Sequence, residues 1–221
     1  DVRYSPDQNG FKKLDTNELR KSFLIEDLFQ KNKIPMTYSD VDRSITGSAV
    51  PKGKTLKLVA TKKEMAADYF TERRELGIIN IGDSGTVSVN GKVYKMDNKD
   101  GLYVGRGEKN IDFKSKSASK PAMFYFVSYP AHKDYPDKHI AFSKATKRNL
   151  GTVQDANKRV INQYFHPGIM QTCQLVMGLT ELENGCVWNT MPAHTHQRRS
   201  EVYVYFNLKP DSFVVHILGE A

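Results

Sequence analysis

The chain has 221 residues, of which 39% are hydrophobic and 26% charged, as in an ordinary globular protein. No apolar run approaches the ~20 residues of a membrane span, and the first residues lack the apolar core of a signal peptide. The net charge of +8 comes from dispersed basic residues rather than a block, which favours a solvated basic surface or a small anionic ligand over nucleic acid.

The first predicted elements are short. Residues 1–13 are polar and are expected to form an arm. Asp15 and Glu18 have the spacing of a helix-capping box, and the apolar pair Leu19 and Phe23 predicts a helix of about two turns. Broken strand patterns follow between residues 34 and 60, and residues 62–67 are expected to form one helical turn.

From Tyr69 onwards the pattern is typical of β structure. Short apolar segments alternate with turns, and Asn90-Gly91 is a strong hairpin signal. The predicted strands are residues 76–81, 86–89, 92–96, 101–104, 111–113 and 122–128. Short strands at this spacing predict an all-β fold, mainly antiparallel, with a few short helices.

The second part of the chain is predicted to contain a crossover and then further strands. Residues 129–159 are basic, contain two prolines and are expected to be irregular. Strands are predicted at 172–182, at 186–190 leading into the motif below, from 201 onwards, and at 212–218. Cys173 and Cys186 do not form a disulfide framework, and free thiols favour a reducing compartment.

A histidine motif dominates the segment from Trp188 to Phe206. His194 and His196 share a strand parity, and Glu201 follows a polar turn. Two imidazoles and one carboxylate that converge across a hairpin could supply three ligands to a divalent metal. The spacing His-x-His-x4-Glu is also the first metal motif of cupins, which are small jelly-roll barrels. The alternative is a polar face with a surface ion pair.

A weak internal repeat relates the two halves of the sequence. When Glu75 is aligned with Glu201, Asp68 and Phe70 occupy the positions of the two imidazoles. We therefore predict an N-terminal cupin-like half without metal at 1–128, a crossover at 129–159, and a metal-binding half at 160–221.

Several segments together resemble one family. Tyr69 to Gly77, Pro130 to His132, Thr172 to Leu175 and Trp188 to His196 are similar to 5-keto-4-deoxyuronate isomerase, also called 4-deoxy-L-threo-5-hexosulose-uronate ketol-isomerase. The resemblance covers nearly the whole chain. It implies a bicupin fold of two jelly-roll halves and a cytoplasmic, hexameric enzyme of pectin and uronate breakdown, with one Zn²⁺ per subunit.

The resemblance also implies the zinc ligands. His194, His196 and Glu201 match the family motif, and a fourth histidine is expected beyond Ala221, so that the second half is expected to be truncated here. His216 does not match that fourth ligand by motif. It lies in an alternating apolar segment, where a histidine is more often packed or at the edge of a pocket.

The implied reaction converts 5-dehydro-4-deoxy-D-glucuronate to 3-deoxy-D-glycero-2,5-hexodiulosonate, with zinc as Lewis acid. Tyr203 and Tyr205 share the parity of Glu201 and are candidates to line the pocket. Arg198 and Arg199 are candidates to bind the substrate carboxylate, or else form a solvent-facing turn. The sequence does not identify the general base.

Three other functions are compatible with parts of the sequence. An Fe(II) cupin dioxygenase would use two histidines and one carboxylate as its facial triad. A non-enzymatic cupin could bind uronates without turnover. A nucleic-acid binder ranks last, because the chain lacks a basic motif interleaved with aromatic residues.

Overall fold

The computed structural model describes residues 1–190 and 194–217. The helices are α1 (Thr16–Phe23) and α2 (Lys62–Met65), with short 3-10 turns at Phe11–Lys13, Val41–Arg43 and Phe142–Lys144. The strands are β1 (Val2–Arg3), β2 (Met36–Ser39), β3 (Ile45–Ala49), β4 (Leu56–Leu58), β5 (Arg74–Asn80), β6 (Gly85–Val89), β7 (Lys92–Met96), β8 (Gly101–Val104), β9 (Ile111–Ser115), β10 (Phe124–Pro130), β11 (Lys138–Ile140), β12 (Thr146–Leu150), β13 (Arg159–Phe165) and β14 (Met177–Leu182). Among these residues, no helix is long and apolar enough to cross a membrane.

The chain forms two compact units that alternate along the sequence. The first contains residues 1–144 and 165–177, and the second contains 145–164 and the residues from 178 onwards. These two units are defined by the packing of the chain. The predicted boundaries at 128 and 160 come instead from the sequence repeat, and the division into two repeated halves remains a prediction.

Two sheets form the first unit. One has seven strands in the order β1-β2-β3-β10-β5-β8-β11, and the other has four in the order β4-β9-β6-β7. Neighbouring strands in these two sheets pair antiparallel, and β1 pairs parallel with β2. Apolar side chains from both sheets share one buried cluster, which includes Leu76 and Phe126 from the larger sheet and Val87 and Phe113 from the smaller. The predicted all-β, mainly antiparallel fold is confirmed.

The hairpin and helix signals are confirmed where side chains or turn residues fix the backbone locally. Asn90 and Gly91 have φ of 47° and 86°, and they connect β6 to β7. Positive φ at both central residues matches the twist of the strands. At α1, Asp15 accepts from the Glu18 N–H at 2.8 Å, and Glu18 accepts from the Asp15 N–H at 2.9 Å. This reciprocal pair is the predicted capping box.

A buried carboxylate joins β5 to the segment 165–177 of the same unit. Glu75 is fully buried, and its oxygens accept hydrogen bonds from the Tyr103 hydroxyl and from the N–H groups of Cys173, Gln174 and Leu175, at 2.6 to 2.8 Å. Burial is the main reason that the pKa of Tyr103 is raised. Four donors supply what an ionised carboxylate needs when it leaves water.

The contacts of Glu75 also explain why the predicted strand 172–182 begins only at Met177. Three successive N–H groups in residues 173–175 point at one carboxylate, so they cannot alternate between two neighbouring strands as a ladder requires. Beside this carboxylate, a Cβ at Gly77 would lie 2.6 Å from the Leu175 side chain. The segment therefore lies directly against the sheet.

The region 129–159 was predicted to be irregular, and this was wrong in part. It contains β11, a 3-10 turn and β12. β11 pairs with β8, and Asp100 holds the connection in place by bonding the His139 ring at 3.2 Å and the Phe142 N–H at 2.9 Å.

The second unit has a three-stranded sheet in the order β12-β13-β14. Asn162 is buried, and its amide donates to the Leu179 carbonyl at 3.2 Å and to the Glu181 carboxylate at 3.0 Å. Strands were also predicted at 186–190, from 201 and at 212–217. The described residues of these segments have no strand assignment, because an alternating pattern forms a strand only where its backbone pairs with a neighbour. Residue 218 lies outside the described part.

Candidate active site

The predicted metal motif lies in the second unit, in chain without regular secondary structure. The rings of His194 and His196 are 4.8 Å apart and nearly perpendicular. His196 Nε2 lies 3.6 Å from Glu201 Oε1, and both side chains are about one third exposed or less. The structure therefore places His196 beside both His194 and Glu201, and the assignment of the three residues as metal ligands stays a prediction.

Glu201 lies close to three side chains of this segment, those of His196, Arg199 and Tyr203. Its Oε1 accepts from Arg199 Nη2 at 2.8 Å, and its Oε2 accepts from the Tyr203 hydroxyl at 3.0 Å. Burial, followed by the bond to Glu201, raises the pKa of Tyr203 to about 12. The tyrosine therefore keeps its proton at neutral pH and acts as a donor that orients the carboxylate.

The predicted ligands His194, His196 and Glu201 offer two imidazoles and one carboxylate to a divalent metal. Imidazole nitrogen and carboxylate oxygen are both common zinc ligands. Within residues 1–190 and 194–217, no group of three or more His, Cys, Asp or Glu side chains meets the geometry for holding a metal ion. In this arrangement Glu201 Oε1 is shared between Arg199 and His196. The residues match zinc ligands by chemical type, but the described structure does not bring three of them into a metal-holding arrangement.

The two predicted carboxylate-binding arginines differ. Arg199 is paired with Glu201, so it orients a predicted ligand. Arg198 is exposed in the turn, where its guanidinium can reach a ligand in solution. Both arginines are exposed, so exposure does not separate them, and a role in substrate binding stays a prediction for each.

Tyr203 and Tyr205, the two tyrosines predicted to line the pocket, lie next to each other in chain without regular secondary structure. The rings of Tyr203 and Tyr205 are stacked, with centroids 6.2 Å apart. The Tyr205 hydroxyl lies 2.7 Å from His216 Nδ1, and the His216 ring also packs against Tyr203 at 5.3 Å. The sequence analysis expected His216 to be packed or at the edge of a pocket, but it did not predict the bond to Tyr205, because eleven residues separate the two and no periodic pattern pairs them.

The buried Glu75 is a second residue whose role the sequence did not reveal. The repeat aligns it with Glu201, yet both of its oxygens are fully engaged by protein donors. The only available signal was a carboxylate at the start of an apolar strand. Its four bonds give it a structural function in the first unit.

The fold and this site define an all-β protein with a histidine–carboxylate cluster in its second unit. The model described as "KduI/IolB family" matches residues 24–219, and the chain belongs to that family. It is 50% identical over 220 residues to 4-deoxy-L-threo-5-hexosulose-uronate ketol-isomerase of Caldicellulosiruptor bescii, covering 100% of this chain and 79% of that protein. A relative of the same name from Formosa agariphila is 50% identical over 218 residues, covering 99% and 78%.

A solved structure supports the fold alone. An IolB-like protein from Salmonella typhimurium matches with a TM-score of 0.51 and 11% identity, covering 65% of this chain and 52% of that one.

The sequence relatives establish the enzyme class. The chain is a ketol-isomerase, an intramolecular oxidoreductase, and the non-enzymatic alternative is set aside.

Proposed function

We propose that the chain is a zinc-dependent ketol-isomerase that converts 5-dehydro-4-deoxy-D-glucuronate to 3-deoxy-D-glycero-2,5-hexodiulosonate in cytoplasmic uronate breakdown. The observation that carries the substrate is 50% identity to relatives named for a ketol-isomerase acting on 4-deoxy-L-threo-5-hexosulose-uronate. The bicupin architecture, one Zn²⁺ per subunit and the hexamer belong to the same proposal. The net charge of +8 suits an anionic sugar.

In this proposal His194, His196 and Glu201 hold the zinc. When bound, zinc supplies Lewis-acid polarisation of a carbonyl oxygen. Tyr203 fixes the Glu201 carboxylate through its 3.0 Å hydrogen bond, and Arg199 balances the charge of that carboxylate. Ligands held by such partners keep their orientation, and loss of a partner typically lowers metal affinity about 10- to 100-fold.

The substrate has a carboxylate and an aldose end, and the exposed Arg198 can bind the carboxylate in a bidentate manner. An aldose–ketose shift removes a proton from the carbon that bears the hydroxyl and adds one to the former aldehyde carbon. Groups that hold or move protons must therefore lie near the substrate oxygens. Tyr203 and Tyr205 present their hydroxyl groups on one side of the segment, next to Glu201.

The test combines metal analysis with turnover. His196→Ala should remove most of the bound zinc, because two remaining ligands hold it poorly, and should abolish isomerisation. The matched control is His132→Ala, an exposed histidine of the first unit, which should retain both. Stoichiometric zinc in His196→Ala would refute the ligand assignment. Bound iron with oxygen consumption would instead indicate the Fe(II) dioxygenase.

A further inference from the structure

Tyr205 and His216 form a hydrogen-bonded pair in the second unit. The hydroxyl and Nδ1 are 2.7 Å apart, within hydrogen-bond distance, and the rings are nearly perpendicular at 77°. When the imidazole carries its proton on Nε2, its Nδ1 is the acceptor and the phenol is the donor. Tyr205 is 46% exposed.

The hydroxyl groups of the two tyrosines beside His216 have different hydrogen-bond partners. The Tyr203 proton is donated to Glu201, a predicted metal ligand, so it is not available for exchange. The Tyr205 hydroxyl lies at hydrogen-bond distance from an imidazole nitrogen, which can accept a proton and return it. The His216 ring packs against both Tyr203 and Tyr205. Burial raises the pKa of Tyr205, so its resting state is the neutral phenol.

We propose that Tyr205 and His216 form the proton shuttle between the two oxygen atoms of the isomerised substrate. Tyr205 is the catalytic residue that touches the substrate, and His216 is a positioning residue that acts through it. The inference rests on the proposed ketol-isomerase function and adds two protein groups to it.

The proposed step balances without a co-reactant. The substrate hydroxyl gives its proton to Tyr205 Oη as the Tyr205 proton passes to His216 Nδ1, which leaves an imidazolium beside a negatively charged substrate oxygen. In the second half, His216 returns its proton to Tyr205, and the Tyr205 proton passes to the oxygen of the former carbonyl. Both residues end in their starting state, and the proton between the two carbons is moved separately.

The first measurement needs neither zinc nor turnover. In the zinc-free protein, imidazole ¹⁵N shifts should show His216 as the Nε2–H tautomer with a hydrogen-bonded Nδ1. Tyr205→Phe keeps the aromatic ring and removes only the hydroxyl, so it should move the Nδ1 resonance of His216. Tyr4→Phe, at a tyrosine that is 76% exposed, should leave it unchanged. An unchanged resonance in Tyr205→Phe would show that the pair does not form and would overturn the proposal.

The second measurement is a double-mutant cycle on the zinc-loaded enzyme. Tyr205→Phe and His216→Ala should each lower kcat by about 100-fold or more with little change in KM. The double variant should lose no more than the worse single variant, because the two groups act as one unit. Added imidazole should restore part of the turnover of His216→Ala, which a purely packing role would not allow.

Three outcomes separate this inference from the function on which it rests. Full turnover in Tyr205→Phe, or additive losses in the double variant, would overturn the shuttle and leave the isomerase intact. Absence of isomerisation in the wild-type protein would overturn both. Lower zinc content in either single variant would place the pair in metal binding rather than proton transfer, and this would also refute the proposal.

Discussion

Replacing Glu75 by glutamine tests whether one buried carboxylate holds the segment 165–177 on the first unit. Each oxygen of Glu75 accepts two hydrogen bonds, three of them from the consecutive N–H groups of residues 173–175. Glutamine has nearly the same shape, but one of its terminal atoms is an NH₂ group. That NH₂ group cannot accept a hydrogen bond, so the two buried donors that faced the replaced oxygen lose their partner. The other two donors keep an acceptor, but that acceptor is no longer charged.

The size of the effect follows from those donors. A buried donor left unsatisfied costs about 1–3 kcal/mol, so two give about 2–6 kcal/mol, and we expect about 4 kcal/mol for Glu75→Gln. Tyr103→Phe removes one donor and leaves the carboxylate with three, so it should cost about 2 kcal/mol. Against a typical stability of about 5–15 kcal/mol for a protein, the glutamine variant loses a large share.

The assay must follow the first unit separately from the second. The single tryptophan, Trp188, belongs to the second unit, so its fluorescence does not report on Glu75. Hydrogen exchange at the amides of residues 173–175 reports directly, and we expect exchange faster by roughly 1,000-fold, as about 4 kcal/mol implies. Urea unfolding followed by far-UV circular dichroism gives the free energy.

The control is a glutamate on the surface. Glu183 pairs with Lys158 at 3.2 Å with both side chains about half exposed, so Glu183→Gln should change stability by less than about 1 kcal/mol. If Glu75→Gln also stays within about 1 kcal/mol of wild type and its amides remain protected, the carboxylate does not hold the segment.

Three further predictions concern the first unit. Asn80→Ala removes five hydrogen bonds of a fully buried amide and should lower the unfolding free energy by about 3 kcal/mol in urea; a loss below about 1 kcal/mol would contradict this. Gly47→Ala places a Cβ 2.3 Å from the Phe126 ring and should cost about 1–3 kcal/mol by overpacking, so an unchanged urea midpoint would count against the packing described. Burial raises the pKa of Asp137 above its ordinary 3.8, so its stabilising contribution is complete below that value and is lost as pH rises through the raised one. Relative to Asp137→Asn, the wild type should therefore lose stability as the pH rises from about 3.8 through the raised pKa, and a constant difference in urea unfolding would disprove it.

The elements predictable from the sequence are those whose cause is local. The turn at Asn90-Gly91 depends on two adjacent residues that tolerate positive φ. The start of α1 depends on Asp15 and Glu18, three residues apart. In both cases the residues that make the contact are neighbours in sequence, so the pattern contains the explanation.

The strand predicted from Thr172 failed because its cause is distant. Glu75 lies about a hundred residues away in the sequence. Its carboxylate accepts hydrogen bonds from the N–H groups of residues 173–175, so these groups do not pair with a neighbouring strand. An alternating pattern describes which side chains can share a face. It does not describe which partner the backbone will meet.

The candidate site also contains contacts that follow from sequence spacing and a contact that does not. That His194 and His196 are neighbours follows from their spacing, and the stacking of Tyr203 on Tyr205 follows from theirs. The bond between Tyr205 and His216 joins residues without periodic relation. It could be found only once the path of the chain between them was known.

The alternation of the two units along the chain limits how this protein can be divided. A fragment that ended at residue 144 would lack residues 165–177, which belong to the same unit. Its Glu75 would lose three of four donors, and the sheet around Gly77 would lose its apolar cover. No single cut yields both units whole, so neither can be exchanged between relatives as an independent module. Recombination that preserves the fold must carry residues 165–177 together with the strands that they cover.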